Sequence, residues 1–211
     1  ALRPSLRGES HCRVPAMHGL FNRAIQCFLR DTYGVALWLA VARRAHLGFE
    51  GFETMLTYDP SLTEAVLAAA ATELGRPRDT VLEDLGTYLV SHPNVEALRR
   101  LLRFGGASFV DFLYSLEDLP DRARLALPEL ELPALEFSDL GDGHFRLRCK
   151  GHVRGIGHVV VGLLRAMADD YGALVLLDHA GSDAGGEVIT IDLLDRSHAS
   201  GRHFHLSADL G

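Results

Sequence analysis

The sequence is poor in the features that define several large protein classes. Its 211 residues include only Cys12, Cys27 and Cys149, an odd number of cysteines without a close pair, which argues against a disulfide framework and predicts a reducing, cytoplasmic setting. The formal net charge of -7 offers no basic excess for binding nucleic acid or an anionic membrane. The most apolar runs, VALWLAVA and HVVVGLL, fall well short of the ~18 residues that span a bilayer, so no membrane segment is predicted.

The short motifs of common enzyme classes are also missing. The chain has no GxxxxGK[ST] phosphate loop, no GxSxG nucleophile elbow, no HExxH zinc helix and no paired CxxC. Because no nucleophile–base pair or metal constellation stands out, the sequence predicts a protein that is not an enzyme.

Composition divides the chain into three parts. Residues 1–16 are basic and lack the apolar core of a secretory signal, so we predict a disordered leader or upstream extension. Residues 17–195 carry a regular apolar pattern and are predicted to form one domain. Residues 196–211 are predicted to be a flexible tail.

Apolar periodicity predicts helices first and strands afterwards. Up to about residue 120, apolar side chains recur at helical spacing between capping residues such as Asp59 and Gly75. After Pro133 the period changes: GDG at 141–143 predicts a hairpin, GHVVVGLLRAMADDYG predicts a helix, and two further strands follow. Helices followed by a ββαββ unit predict an α+β fold.

From Met17 to about Asp195, this order of segments resembles the H-NOX family, the heme-nitric oxide/oxygen-binding domains related to the sensor of soluble guanylate cyclase. The opening MHGLFNRAIQCFLRDTYG is similar to the family's M-x-G-x-x-N helix, and LEDLGTYLV, FVDFLYSLEDL, LPELELP and RGIGHVVVGLLRAMA follow in the family's order. The resemblance implies an N-terminal helical subdomain packed on a C-terminal subdomain of helices and a four-stranded antiparallel sheet.

Two motifs that hold the heme in this family are altered. In the family, FLxxLxxLH ends in the proximal histidine that binds the iron, whereas FLYSLEDLP places Pro120 there, and Pro128 and Pro133 support this alignment. The family's Tyr-x-Ser-x-Arg motif holds the heme propionates, and here the same positions read Cys149-Lys150-Gly151-His152-Val153. The ligand and all three propionate donors are therefore replaced.

The resemblance also assigns the remaining pocket positions. It places Phe21 against the ring, Leu89 on the distal side and Pro133 where the macrocycle is distorted, with Pro120, Cys149, Gly151 and Val153 at the altered positions. Cys149 could offer a thiolate to the iron and His92 an imidazole, so both are candidate metal ligands. Judged from the residues alone, the apolar positions are typical of a packed core, and Cys149 of a small buried side chain.

Two functional hypotheses follow from the resemblance. One is a heme- or tetrapyrrole-binding sensor domain that reports a diatomic gas such as nitric oxide to a signalling partner, for example a histidine kinase or a diguanylate cyclase. The alternative is a cofactor-free pseudo-sensor that keeps the fold and acts as a protein-interaction module. A pseudo-sensor should fill the pocket with side chains such as Phe21 and Leu89.

Overall fold

A computed structural model describes residues 17–126 and 132–195, so the predictions for residues 1–16 and 196–211 lie outside the described residues. The helices of the described part are α1 (Gly19–Tyr33), α2 (Val35–Arg44), α3 (Pro60–Leu74), α4 (Arg78–Ser91), α5 (Glu96–Arg103), α6 (Phe109–Tyr114), α7 (Leu119–Ala126) and α8 (Ile156–Tyr171). The strands are β1 (Met17–His18), β2 (Thr57–Tyr58), β3 (Ala134–Gly141), β4 (His144–Lys150), β5 (Leu174–Asp183) and β6 (Gly186–Asp195).

The N-terminal helices form where local sequence signals favour them. The Asp59 carboxylate accepts the Ser61 N–H at 2.8 Å and begins α3, and Gly75 ends that helix in the left-handed region with φ 62°. Trp38 on α2 is 2% exposed, and its indole N–H donates to the Glu50 carbonyl at 3.0 Å. This buried ring anchors α2 against the loop that follows it.

The C-terminal half contains one antiparallel sheet in the order β3-β4-β6-β5. On β4 the buried residues Phe145, Leu147 and Cys149 alternate with residues that are exposed or half-buried, as expected of a sheet that covers a core on one face only. Helix α8 packs on that inner face, and the outer face is turned to solvent. The strand order places β3 and β5 at the two edges of the sheet.

Helices α4 and α8 cross with their backbones in direct contact. A Cβ atom at Gly86 would overlap the Val159 carbonyl oxygen, and one at Gly162 would overlap the Glu83 carbonyl oxygen. Only glycine permits an approach this close at both positions. Since Tyr88 on α4 also donates to Asp31 on α1 at 2.7 Å, α4 connects the N-terminal helices to the sheet half.

The predicted α+β architecture with a four-stranded antiparallel sheet is confirmed, and the first element differs from the sequence prediction. Met17 was predicted to open a helix, but it pairs with Tyr58 in β1 because the Gly19 N–H donates to the Leu56 carbonyl at 2.7 Å. Helix α4 begins at Arg78, directly after Pro77, and its N-terminus has no side-chain cap. No helix among the described residues is long and apolar enough to cross a membrane.

Candidate functional site

Pro120 interrupts the helical segment that carries it. Helix α6 ends at Tyr114, a turn follows, and α7 begins at Leu119. In a continuous helix the N–H of residue 120 would donate to the Leu116 carbonyl, but proline has no N–H, and that oxygen instead accepts from the Leu119 N–H at 3.2 Å. Pro120 thus lies in the first turn of α7, where a missing donor costs little, and it presents no atom that could bind iron.

Cys149 lies on the buried face of the sheet, near the end of β4. It is 1% exposed, and its backbone is paired with Leu135 on β3 and Glu187 on β6. Burial, followed by the nearby Glu187 carboxylate, raises the pKa of the Cys149 thiol to about 12. Because the thiolate is the form that binds a metal, this environment favours a neutral packing role for Cys149.

The positions of the former propionate donors are occupied by apolar contacts. A Cβ atom at Gly151 would lie 3.3 Å from the Pro133 Cβ and 3.2 Å from Ile156, and Val153 is 5% exposed. Pro133, Cys149 and Gly151 therefore lie at the same end of β3 and β4. Hydroxyl and guanidinium groups are absent from this cluster.

The charged neighbours of these positions do not replace the lost donors. Lys150 is exposed and lies 3.9 Å from Glu136 on the outer face of the sheet. His152 and Arg154 are exposed as well. Strand alternation turns Lys150 outward, whereas His152 and Arg154 lie beyond the end of β4, in the loop before α8.

His92 lies at the far end of α4. Its ring stacks on Tyr88 with centroids 4.8 Å apart, and its Nδ1 accepts the Asn94 N–H at 3.3 Å and lies 3.8 Å from Asp31. The β4–α8 loop, in contrast, meets α4 at Leu82, ten residues earlier and so about 15 Å away along the helix axis. His92 and Cys149, the two candidate metal ligands, are not brought together.

Phe21 and Leu89 are half-buried and pack against the common core. Leu85 on α4, and Leu116 and Leu119 just before Pro120, are at most 5% exposed and belong to the same core. A cavity large enough for a heme would leave accessible surface on its lining side chains. Phe21 and Leu89 keep part of their surface accessible, whereas these three leucines have almost none.

A network at the start of α8 was not anticipated from the sequence. The Glu187 carboxylate accepts the N–H groups of Gly155 and Gly157, both at 2.7 Å, and lies 3.0 Å from His179 Nε2. The His179 ring stacks on His158 with centroids 4.1 Å apart. Glu187, which lies on β6, thus caps the N-terminus of α8. Its negative charge suits the positive end of the helix dipole. Because Gly157 and Glu187 are thirty residues apart, no local motif could have indicated this cap.

Arg78 connects the same loop to the N-terminal helices. Its guanidinium forms a two-pronged pair with Glu64 on α3 and donates to the Arg154 carbonyl at 2.8 Å. The loop that carries the altered propionate motif is therefore held from both sides, by Arg78 and by Glu187.

Taken as a binding site for heme, these residues do not fit. Among the described residues, this cluster supplies no axial nitrogen and no propionate donor, and apolar contacts fill the space beside Gly151. Two open clefts of about 260 and 360 Å³ lie along α8, and neither is lined by any predicted cofactor residue. Within residues 17–126 and 132–195, no three His, Cys, Asp or Glu side chains are grouped for a metal ion.

Comparison with known proteins places the chain in a family. The family model described as Haem-NO-binding matches residues 18–179. Soluble guanylate cyclase 89Db of Drosophila melanogaster is 20% identical over 155 residues, which are 74% of this chain and 23% of that protein. Soluble guanylate cyclase 89Da of the same organism is 20% identical over 183 residues, which are 85% of this chain and 27% of that protein. The chain thus spans about a quarter of the length of these relatives.

Solved structures support the same fold. The Fe(II) unliganded H-NOX protein from K. algicida superposes with a TM-score of 0.69 at 19% identity, covering 85% of this chain and 97% of that one. The Fe(II)NO form of an H-NOX protein from S. oneidensis gives a TM-score of 0.70 at 18% identity, covering 85% and 100%. The chain belongs to the H-NOX, or haem-NO-binding, family, a family of heme-based gas-sensor domains.

Proposed function

We propose that this chain is a cofactor-independent H-NOX domain that signals by binding another protein. The observation that carries the proposal is the misfit between the buried cluster and heme: Pro120 replaces the axial ligand, and Pro133 and Ile156 lie against Gly151. A propionate pair requires charge-assisted donors when it is partly buried, and the buried positions here are Cys149 and Val153. In such a domain the signal is a difference in partner affinity between two conformations.

The partner class follows from the family. Soluble guanylate cyclases are among the matched relatives, and a signalling enzyme such as a histidine kinase or a diguanylate cyclase is the partner we propose. A cofactor-independent domain should change the activity of such an enzyme to the same extent with and without nitric oxide. A response that depends on added heme and gas would contradict the proposal.

The direct test is a titration of the full chain with ferrous heme, followed by absorption spectroscopy. We expect broad, non-saturating absorbance, as for heme bound weakly to an apolar surface. A sharp Soret band that saturates at one heme per chain would overturn the proposal, and C149A and H92A would then identify the ligand.

Two variants separate the missing ligand from the filled space. In Pro120→His an imidazole returns at the axial position, and Pro120→Ala is the matched control for removing proline. We expect neither variant to bind heme stoichiometrically, because the contacts at Gly151 and the buried Val153 remain. Stoichiometric binding by Pro120→His alone would show that the missing ligand, and not packing, excludes the cofactor.

A further inference from the structure

Three exposed leucines form an apolar surface at one end of the outer face of the sheet. Leu174 and Leu176 on β5 are 59% and 58% exposed and alternate with half-buried residues, and Leu194 on β6 is 55% exposed. Leu176 is paired with Asp192, and Leu194 lies two residues after Asp192, so the three side chains share one face of the sheet. Apolar side chains that are grouped in this way indicate a contact surface more than scattered ones do. These three residues are the leucine end of the sheet.

The chain leaves the sheet at the leucine end. Asp195, the last residue of β6, is paired with Leu174 on β5. Residues 196–211 follow directly and lie outside the described residues. They therefore continue from a point beside the exposed leucines.

The sequence of this following segment has a period of two. From His203 to Leu210 it reads HFHLSADL, in which Phe204, Leu206, Ala208 and Leu210 alternate with polar residues. Strict alternation over eight residues is typical of an extended segment that is buried on one side only. Such a segment requires an apolar surface on which the side that carries Phe204 can pack.

The connection is long enough to bring this segment onto the leucine end. Residues 196–202 separate it from Asp195, and an extended connection of this length spans up to roughly 25 Å. The leucine end lies on β5 and β6, which are neighbouring strands about 5 Å apart. Gly201 lies within the connection and permits the chain to reverse its direction.

A segment of the same chain has an advantage over a separate molecule. Because residues 203–210 are tethered beside the leucine end, their effective concentration there is on the order of millimolar. A second copy that presented the same apolar side chains would have to reach that concentration in solution to compete equally. The tether therefore favours this segment as the occupant.

We propose that residues 203–210 fold back over the leucine end, with Phe204 and Leu206 packed on its three leucines. The contact removes apolar surface of both partners from water. Residues 203–210 then do not belong to the flexible tail that composition predicts. The contact does not depend on whether heme binds, so its test and that of the proposed function fail independently.

The test is solution NMR of the full chain with a soluble gadolinium chelate, which broadens the methyl signals of exposed side chains. Leu39 on α2 is the internal reference, because it is 40% exposed, less than any leucine of the leucine end. We expect the methyl signals of the leucine end to be broadened less than those of Leu39. This order is the reverse of the one that the described residues alone would give.

Two double variants identify the segment that covers the leucines. Phe204→Ser/Leu206→Ser changes the apolar side of the segment, and the matched control His203→Ser/His205→Ser changes its polar side. We expect the first variant to broaden the leucine-end signals more than those of Leu39. The control should keep the order of the wild-type chain.

Three results would overturn the proposal. Leucine-end signals that are broadened more than those of Leu39 in the wild-type chain would show that the surface is open. Protection that both double variants retain would mean that another part of the protein covers it. Protection that grows with protein concentration would identify a second copy as the occupant, because a contact within one chain does not depend on concentration.

Discussion

At the scale of single residues, Gly157 leaves room for the side chains of Glu187 and His179. A Cβ atom there would lie 2.6 Å from a Glu187 carboxylate oxygen and 2.8 Å from His179 Nε2. We expect Gly157→Ala to lower the free energy of unfolding by about 1–3 kcal/mol despite the better helix propensity of alanine. Urea denaturation of both proteins measures this change in the free energy of unfolding. Gly48→Ala is the control, because no atom lies within 4 Å of a Cβ there; equal effects would mean that Glu187 simply moves aside.

The Cys149 thiol should be unreactive in the folded protein. Its pKa is raised to about 12 by burial, so at pH 8 almost none is thiolate, the form that attacks thiol reagents. In a Cys12→Ser/Cys27→Ser variant, we expect labelling of Cys149 to proceed only as fast as the protein unfolds, and to become rapid in denaturant. Fast stoichiometric labelling of the native variant would show that the thiol is reachable and activated.

Some residues of the candidate site could be identified from the sequence, and others only from the structure. Pro120, Cys149, Gly151 and Val153 are visible as replacements within an ordered set of family motifs. Glu187 and Arg78 are not visible, because their partners lie on distant elements and become neighbours only after the sheet forms. The filled space beside Gly151 is likewise a result of tertiary packing, which no local pattern encodes.

At the scale of elements, Asp31 and Tyr88 join α1 to α4. The Tyr88 hydroxyl donates to Asp31 at 2.7 Å, and this hydrogen bond is the main reason why the pKa of Asp31 is lowered. A lowered folded pKa means that the stabilisation is present above the unfolded value of about 3.9 and is lost as pH falls through the folded value.

Tyr88→Phe should therefore reduce stability at pH 7 by about 1 kcal/mol and make it less dependent on pH in the acid range. Denaturation at pH 7 and at steps below pH 4 measures both effects. Asp31→Asn should also flatten the acid dependence, since no carboxylate remains to titrate. An unchanged acid profile in both variants would place the acid-sensitive groups elsewhere.

Elements were predicted best where local signals are strong. The GDG turn correctly predicted the β3–β4 hairpin. Asp59 and Gly75 cap the two ends of α3, as expected. Strand β1 was missed, because its pairing depends on Leu56, a residue 37 positions beyond Gly19. Long-range pairing of this kind cannot be inferred from periodicity.

At the scale of the whole molecule, Arg78 joins the N-terminal helices to the loop before α8. It binds Glu64 on α3 and the Arg154 carbonyl together. We expect Arg78→Ala to destabilise the protein by about 1 kcal/mol or more and to speed hydrogen exchange in residues 151–155. Arg76→Ala is the control: its pair with Asp84 is exposed, and its loss should change stability by no more than ~0.5 kcal/mol. Equal effects would mean that Arg78 provides only surface charge.

The crossing of α4 and α8 at Gly86 and Gly162 limits how the two halves can move. With backbone touching backbone, a slide along either axis would drive a neighbouring side chain into the facing carbonyl groups. The two glycines therefore set how closely α4 and α8 approach each other. A larger side chain at either position would push the helices apart, and with them the N-terminal helices from the sheet.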